Sequence, residues 1–239
     1  MSTLNGDRPE RIVQSVLVDT HCHLDDDVYA ADLESVIEES RFRGVTRWIN
    51  VGFEPERWQS TVALSNRVEG MSHMLGLHPG HAEEWSSDLR ACLESLVTIS
   101  HPVAIGEIGL DFFRGETNAS AQRIAFDEQL DLAVELNLPA VIHMRAAEDE
   151  VLNLLKSRRT LPHLVFHSFE GTMRLRDFVV EHKSTIGFGG LATRASAADL
   201  RLVIGTIPLD QIVLETDSPY LVPTGTKGRR NVPGNVAAI

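Results

Sequence analysis

The sequence predicts an α/β fold, a (β/α)8 TIM-like barrel, and three observations carry that expectation. Short β-rich runs alternate with longer helical patterns along the whole chain, with no low-complexity tract or linker dividing them. Sharing 239 residues among eight units gives about 30 each, close to the size of a βα unit and to the roughly 250 residues of a typical barrel. Residues able to bind metal recur at the carboxyl ends of the predicted strands, the face on which barrel active sites are built.

The elements follow in order. Val16 to Asp19 is a β-rich strand that runs to His21. Ala30 to Arg43 reads as a helix, with Leu33, Val36 and Ile37 at helical spacing and Gly44 as its stop. Thr46 to Val51 is the second strand and Pro55 to Val68 the second helix; Met71 to Leu77 is the third strand, followed by a helix from Ala82 to Ile99. Val103 to Ile108 is the fourth strand, and Ala119 to Leu136 a helix closed by Asn137. Strands at Ala140 to His143, Leu164 to His167 and Thr185 to Phe188 each precede a helix, ending at Leu155, His182 and Ile204. Ile212 to Glu215 is the eighth strand, after which a Pro/Gly-rich loop, Pro223 to Gly234, runs almost to Ile239. The last C-terminal helix of the barrel is therefore missing: either the chain is cut short or the barrel keeps an open seam. Strands one and eight should then lose part of their apolar cover.

Composition is that of a globular protein with a real core, 43% hydrophobic and 23% charged, and a single domain over residues 1–239 is expected. No apolar run approaches the roughly 18 to 20 residues that cross a bilayer, and Met1 to Gln14 lacks an apolar leader segment. A cytoplasmic location without membrane contact follows by default. Cys22 and Cys92 are too few for a disulfide framework, and Cys22, between two histidines on a strand, should face away from them as a buried thiol. The net charge of -12 argues against broad adhesion to nucleic acid, which needs a basic face, but leaves room for a nucleic-acid substrate held through cations.

Six residues form the candidate centre. His21 and His23 follow strand one, Glu107 ends strand four, His143 ends strand five, His167 ends strand six and Asp217 follows strand eight. Residues two apart on a strand share a face, so both His21 and His23 should point to the barrel mouth. Four imidazoles and two carboxylates suit Zn, Mn, Fe or, with more water, Mg. One cation rarely needs six protein ligands, whereas two divalent metal ions bridged by Glu107 would use them all. His73, His101, His163 and His182 lie at strand or helix starts and read as structural.

Segments across nearly the whole chain resemble the TatD family of metal-dependent deoxyribonucleases and hydrolases. They include Asp19-Thr20-His21-Cys22-His23, Gly76-Leu77-His78-Pro79, Gly106-Glu107-Ile108-Gly109-Leu110-Asp111, His143-Met144-Arg145, His167-Ser168-Phe169-Glu170-Gly171 and Glu215-Thr216-Asp217-Ser218-Pro219-Tyr220-Leu221. The resemblance implies one metal on His21, His23, Glu107 and Asp217, and a second on Glu107, His143 and His167. It also implies 3′ to 5′ exonucleolytic hydrolysis of DNA, preferring short single-stranded 3′ ends, with Asp217 doubling as proton acceptor. The chain departs from the family's Arg-Asn-Glu-Pro with Arg230-Asn231-Val232-Pro233. His78, Arg145, Arg229 and Arg230 are the candidates for substrate contact, with Arg229 and Arg230 equally readable as a solvated loop. A different bond is the main alternative: barrels of this kind also cleave esters and amides, including D-aminoacyl-tRNA. A non-enzymatic binding module has no use for six converging ligands, and no obligate protein partner is evident.

Overall fold

A computed structural model describes residues 16–113, 115 and 118–239. Met1 to Gln14, where the sequence shows no apolar leader, lies outside the described residues. The chain forms eight parallel strands in the order in which they occur in sequence, each flanked by its neighbours. They are β1 (Leu17–Cys22), β2 (Val45–Gly52), β3 (Met71–Leu75), β4 (Ile105–Asp111), β5 (Ala140–Arg145), β6 (Leu164–Phe166), β7 (Thr185–Phe188) and β8 (Ile212–Leu214). Among the described residues seven α-helices connect them: α1 (Leu33–Phe42), α2 (Pro55–Arg67), α3 (Ser87–Ser100), α4 (Ala119–Glu135), α5 (Glu148–Ser157), α6 (Met173–Glu181) and α7 (Ala198–Ile204). The result is the expected (β/α)8 barrel, nearly closed.

Alternation along the strands sets the layers. On β5, Ala140 and Ile142 join the large core beneath the helices, with Phe126, Leu130, Phe166 and Ile186. Val141, between them, joins Val51, Met74 and Ala104 in a separate small cluster. Successive side chains on a strand face opposite ways, so one strand feeds two cores. Cys22 behaves as the spacing requires: it is buried beside Trp48 and Val45, its thiol directed to the carbonyl of Ile49, away from His21 and His23.

Several boundaries differ from expectation, β4 running to Asp111 instead of Ile108 among them, and two have a clear local cause. The helix foreseen from Ala82 is split into a 3-10 turn, Pro79–Glu84, and α3. Ser86 causes the break: its backbone is extended and its hydroxyl accepts from Leu89 N, the local capping geometry that competes with a continuous helix. Strand three ends at Leu75 instead of Leu77, because Gln129 from α4 takes over the next polar groups, pairing with both the N–H and the carbonyl of Leu77.

The seam between β1 and β8 is held at its carboxyl end. Asp217 N donates to His21 O (2.9 Å), His23 N to Ser218 O (2.7 Å) and the Thr20 hydroxyl to Leu214 O (2.9 Å). The buried Asp19 carboxylate accepts from both the backbone N and the hydroxyl of Thr216, tying the two strands together. The expected loss of apolar cover is partial. Val18 on β1 stays 38% exposed, whereas a 3-10 turn, Pro233–Ala238, buries Val236 against Ile37 and Trp48. Val232, where the family carries Glu, packs half-buried at the edge of that cluster.

Candidate metal centre

Five strands deliver the six predicted ligands to one mouth. His21 lies on β1 and His23 just beyond it, Glu107 is the third residue of β4, His143 the fourth of β5, His167 follows β6 and Asp217 follows β8. Glu107 is the hub. Its Oε2 lies 3.4 Å from His21 Nε2, while its Oε1 lies 2.6 Å from His143 Nδ1 and 3.1 Å from His167 Nε2. Asp217 Oδ1 completes the other side, 3.3 Å from His23 Nε2 and 3.7 Å from His21 Nε2. Ligands about 2.1 Å from a tetrahedral ion stand about 3.4 Å from one another, which is the spacing of the 3.1–3.7 Å separations here, while His143 and Glu107 are directly hydrogen-bonded.

Unmet polar atoms support the same reading. Both ring nitrogens of His21 and Nδ1 of His23 are buried without a hydrogen-bond partner. Buried polar groups are nearly always satisfied, so such orphans call for a partner of another kind. Among the described residues, His21, His23 and Asp217 form one set of donors within 4.8 Å of each other and Glu107, His143 and His167 another; two overlapping sets, His21, His167 and Glu215, and His78, Asp111 and His143, meet the same distance. All are nitrogen or carboxylate oxygen, the donor chemistry of Zn, Mn, Fe or Mg. The residues therefore fit divalent cations.

The local backbone is shaped for this. Asp217 adopts a left-handed conformation (φ 56°), which costs of order 1–3 kcal/mol for a non-glycine residue unless its surroundings hold it. Its N–H to His21 O and its carbonyl to Tyr220 N do so. Gly187 is required by close approach: a Cβ there would collide with the Glu215 carboxylate and push it into the site.

Electrostatics follow from burial opposed by contact. Burial alone would raise the Glu107 carboxyl, but His167, His143 and His21 outweigh it and hold the group well below its usual range. Burial likewise works against the charge on Asp217, yet His23 and the other imidazoles bring its pKa below the ordinary carboxylate value. For His78 burial prevails: against the pull of Glu107 and Asp111 it lowers the imidazole to about 4, so the ring is neutral near pH 7. Its Nδ1 accepts from Gly80 N, which leaves the proton on Nε2, 3.8 Å from Glu107 Oε1.

Two carboxylates absent from the predicted set stand behind the histidines. Asp111 Oδ2 is 3.2 Å from His143 Nε2, and Glu215 Oε1 is 3.4 Å from His167 Nδ1. A carboxylate on the far nitrogen orients a metal-binding imidazole and raises its basicity. Glu215→Gln should weaken metal affinity by about 10- to 100-fold, read by competition with a chelator; unchanged affinity would remove Glu215 from this role.

The substrate candidates separate. His78 and Arg145 line a cleft of about 970 Å³ over the centre, together with Phe53, Phe113, Arg194 and Tyr220. Arg230 is engaged elsewhere: its guanidinium pairs through two nitrogens with the Asp32 carboxylate and lies 4.6 Å from the Tyr29 ring centre. Arg229 is exposed on the same loop, outside the cleft lining. Of the histidines read as structural, His73 is buried between Ser65 and Ser100, His163 bonds Thr185 and His182 stacks on Phe178.

Comparison with known proteins places this geometry in a wider set. A family model described as TatD related DNase matches residues 18–239. An Escherichia coli protein named uncharacterized metal-dependent hydrolase YjjV is 34% identical over 227 residues, 93% of this chain and 86% of its own. A 3′-5′ ssDNA/RNA exonuclease TatD of Erwinia billingiae is 35% identical over 212 residues, 86% of this chain and 81% of its own. The crystal structure of Escherichia coli YjjV superposes with a TM-score of 0.87 at 33% identity, covering 93% of this chain and 86% of that one.

Proposed function

The chain belongs to the family of TatD related DNases and is a metal-dependent hydrolase, and from that premise we propose that it removes nucleotides from 3′ ends of single-stranded DNA using two divalent cations. The observation that carries this reading is the arrangement of donors around Glu107, whose two oxygens face different imidazole sets. His21, His23, Glu107 and Asp217 would hold one ion, and Glu107, His143 and His167 the other. Cations held there neutralise charge on phosphoryl oxygens and acidify water near neutral pH.

The chain's own groups supply the rest. Asp217 reaches the cleft and takes the proton of the attacking water, a role suited to a carboxylate kept ionised by its imidazole neighbours. His78 offers Nε2–H as an uncharged donor to a phosphoryl oxygen, adding no repulsion toward the cations. Arg145, exposed at the end of β5, offers a guanidinium to the phosphate beyond. The overall charge of -12 favours a grip on one or two nucleotides over a long groove. The reading carries a cytoplasmic setting and no obligate protein partner. Among the described residues no helix is long and apolar enough to cross a membrane.

The test compares 5′-labelled linear single strands with circular ones, in the presence of Mg, Mn or Zn. Stepwise shortening of the linear strand alone supports the proposal. Cleavage of circles, or release of D-amino acid from D-aminoacyl-tRNA with no action on DNA, overturns it. Arg145→Ala should raise KM about tenfold or more with little change in kcat, the signature of binding lost equally in ground and transition states.

A further inference from the structure

The cleft carries aromatic surface that metal chemistry does not require. Phe113, two residues past β4, is 62% exposed, and Tyr220, past β8, is 49% exposed. Large exposed apolar side chains occur elsewhere on this surface, Phe42 at 88% among them, but these two rings line the cleft over the buried polar centre. One face of Phe113 is covered by Arg145, whose guanidinium carbon sits 3.8 Å from the ring centre, while the ring still lines the cleft. Tyr220 meets His23 in a T-shaped contact at 5.8 Å, and its ring also lines the cleft.

Topology places the two rings. In a barrel whose strands follow sequence order, β4 and β8 lie half a turn apart, so Phe113 and Tyr220 rise from opposite sides of the same rim. The donors around Glu107 and Asp217 lie between them. A phosphodiester has a nucleoside on each side of phosphorus, and each nucleoside carries a flat base. We propose that Phe113, backed by Arg145, and Tyr220 are nucleobase platforms that stack the two bases flanking the scissile phosphate. This rests on the nuclease reading above.

Arg145 then acts twice, because its plane supports the ring while its edge N–H groups remain available to phosphate. Stacking is tolerant of base identity because every base has a π-face. The platforms therefore select for the presence of a base on each side, without choosing which base. They also select against esters that lack a planar group on one side.

The experiment measures kcat/KM on three single-stranded oligonucleotides: intact, abasic at the 3′-terminal residue, and abasic at the penultimate residue. For the wild-type protein each missing base should cost roughly five- to 150-fold, the range of base–aromatic stacking. Phe113→Ala should erase the penalty at one of the two positions and Tyr220→Leu the penalty at the other, while Phe113→Trp retains it. Bound metal in each variant reports that the centre is intact. The proposal is overturned if wild-type protein treats all three substrates alike. It is also overturned if the variants keep the wild-type ratios, including the case in which they lose activity on all substrates equally. Wild-type protein that cleaves no oligonucleotide at all instead removes the nuclease reading beneath it, a result distinct from either.

Discussion

Asp217→Asn should lower kcat about 10³- to 10⁴-fold while leaving KM close to its wild-type value, since general-base chemistry and an anionic ligand are lost together. The substitution isolates chemistry from folding. Asparagine has the same shape and is among the few residues that tolerate the left-handed conformation held at this position (φ 56°). The backbone bonds of Asp217 to His21 O and Tyr220 N are independent of the side chain. What the amide cannot do is carry charge beside His21 and His23, or accept a proton from water. Glu107, His143 and His167 are untouched, so metal should still bind there. The measurement is kcat at saturating metal, with bound metal determined on the same sample. Turnover within tenfold of wild type would take the proton-acceptor role away from Asp217.

Most of this centre is legible in the sequence because it obeys two periodicities. His21 and His23 share a face through the two-residue repeat of a strand, and the remaining ligands recur at the spacing of whole βα units. Asp111 and Glu215 obey the same strand repeat yet escape a reading by pattern alone. Asp111 lies two steps of two beyond Glu107, but a fourth strand read as ending at Ile108 stops short of it. In the structure Gly109 (φ 145°) instead stays in β4, paired with His143, and a side chain there would collide with the carbonyl of His143. Glu215 stands two before Asp217, as His21 stands two before His23. Its role behind His167 depends on a contact across β7, through the space that Gly187 leaves open, which no local pattern encodes.

Arg230 fails for a related reason. A loop arginine after strand eight belongs to the correct rim by topology, but its charge is already taken by Asp32, nearly two hundred residues earlier. The pair also holds the carbonyl of Val28 and lies against Tyr29, whose hydroxyl reaches Asn231 O. Arg230 and Asn231 thus fasten the last loop to the start of the barrel. Sequence position indicates which face a residue is on; it does not indicate whether another side chain has claimed it.

Glu107→Gln should have the other large effect, and it is read separately with and without metal. With metal, the wild-type protein gains stability by mass action, about 2.7 kcal/mol at a hundredfold excess over Kd. For a chain of this size that is a rise in Tm of about 5 to 10 °C. Glu107 faces both donor sets, so the amide should abolish most of that rise and reduce bound metal below that of any single-histidine variant. Without metal the same substitution removes a carboxylate buried among imidazoles, 4% exposed, which those imidazoles hold ionised. Removing one partner from such a cluster breaks its ion pairs with His143 and His167 and should lower the metal-free Tm as well. The loss of the metal-induced rise is therefore read as the difference between the two scans of each protein. Thermal scans of both proteins with chelator and then with added Zn or Mn separate the two effects. A variant that keeps the full metal-induced rise would show that Glu107 is not the shared ligand, and the two-ion arrangement would have to be abandoned.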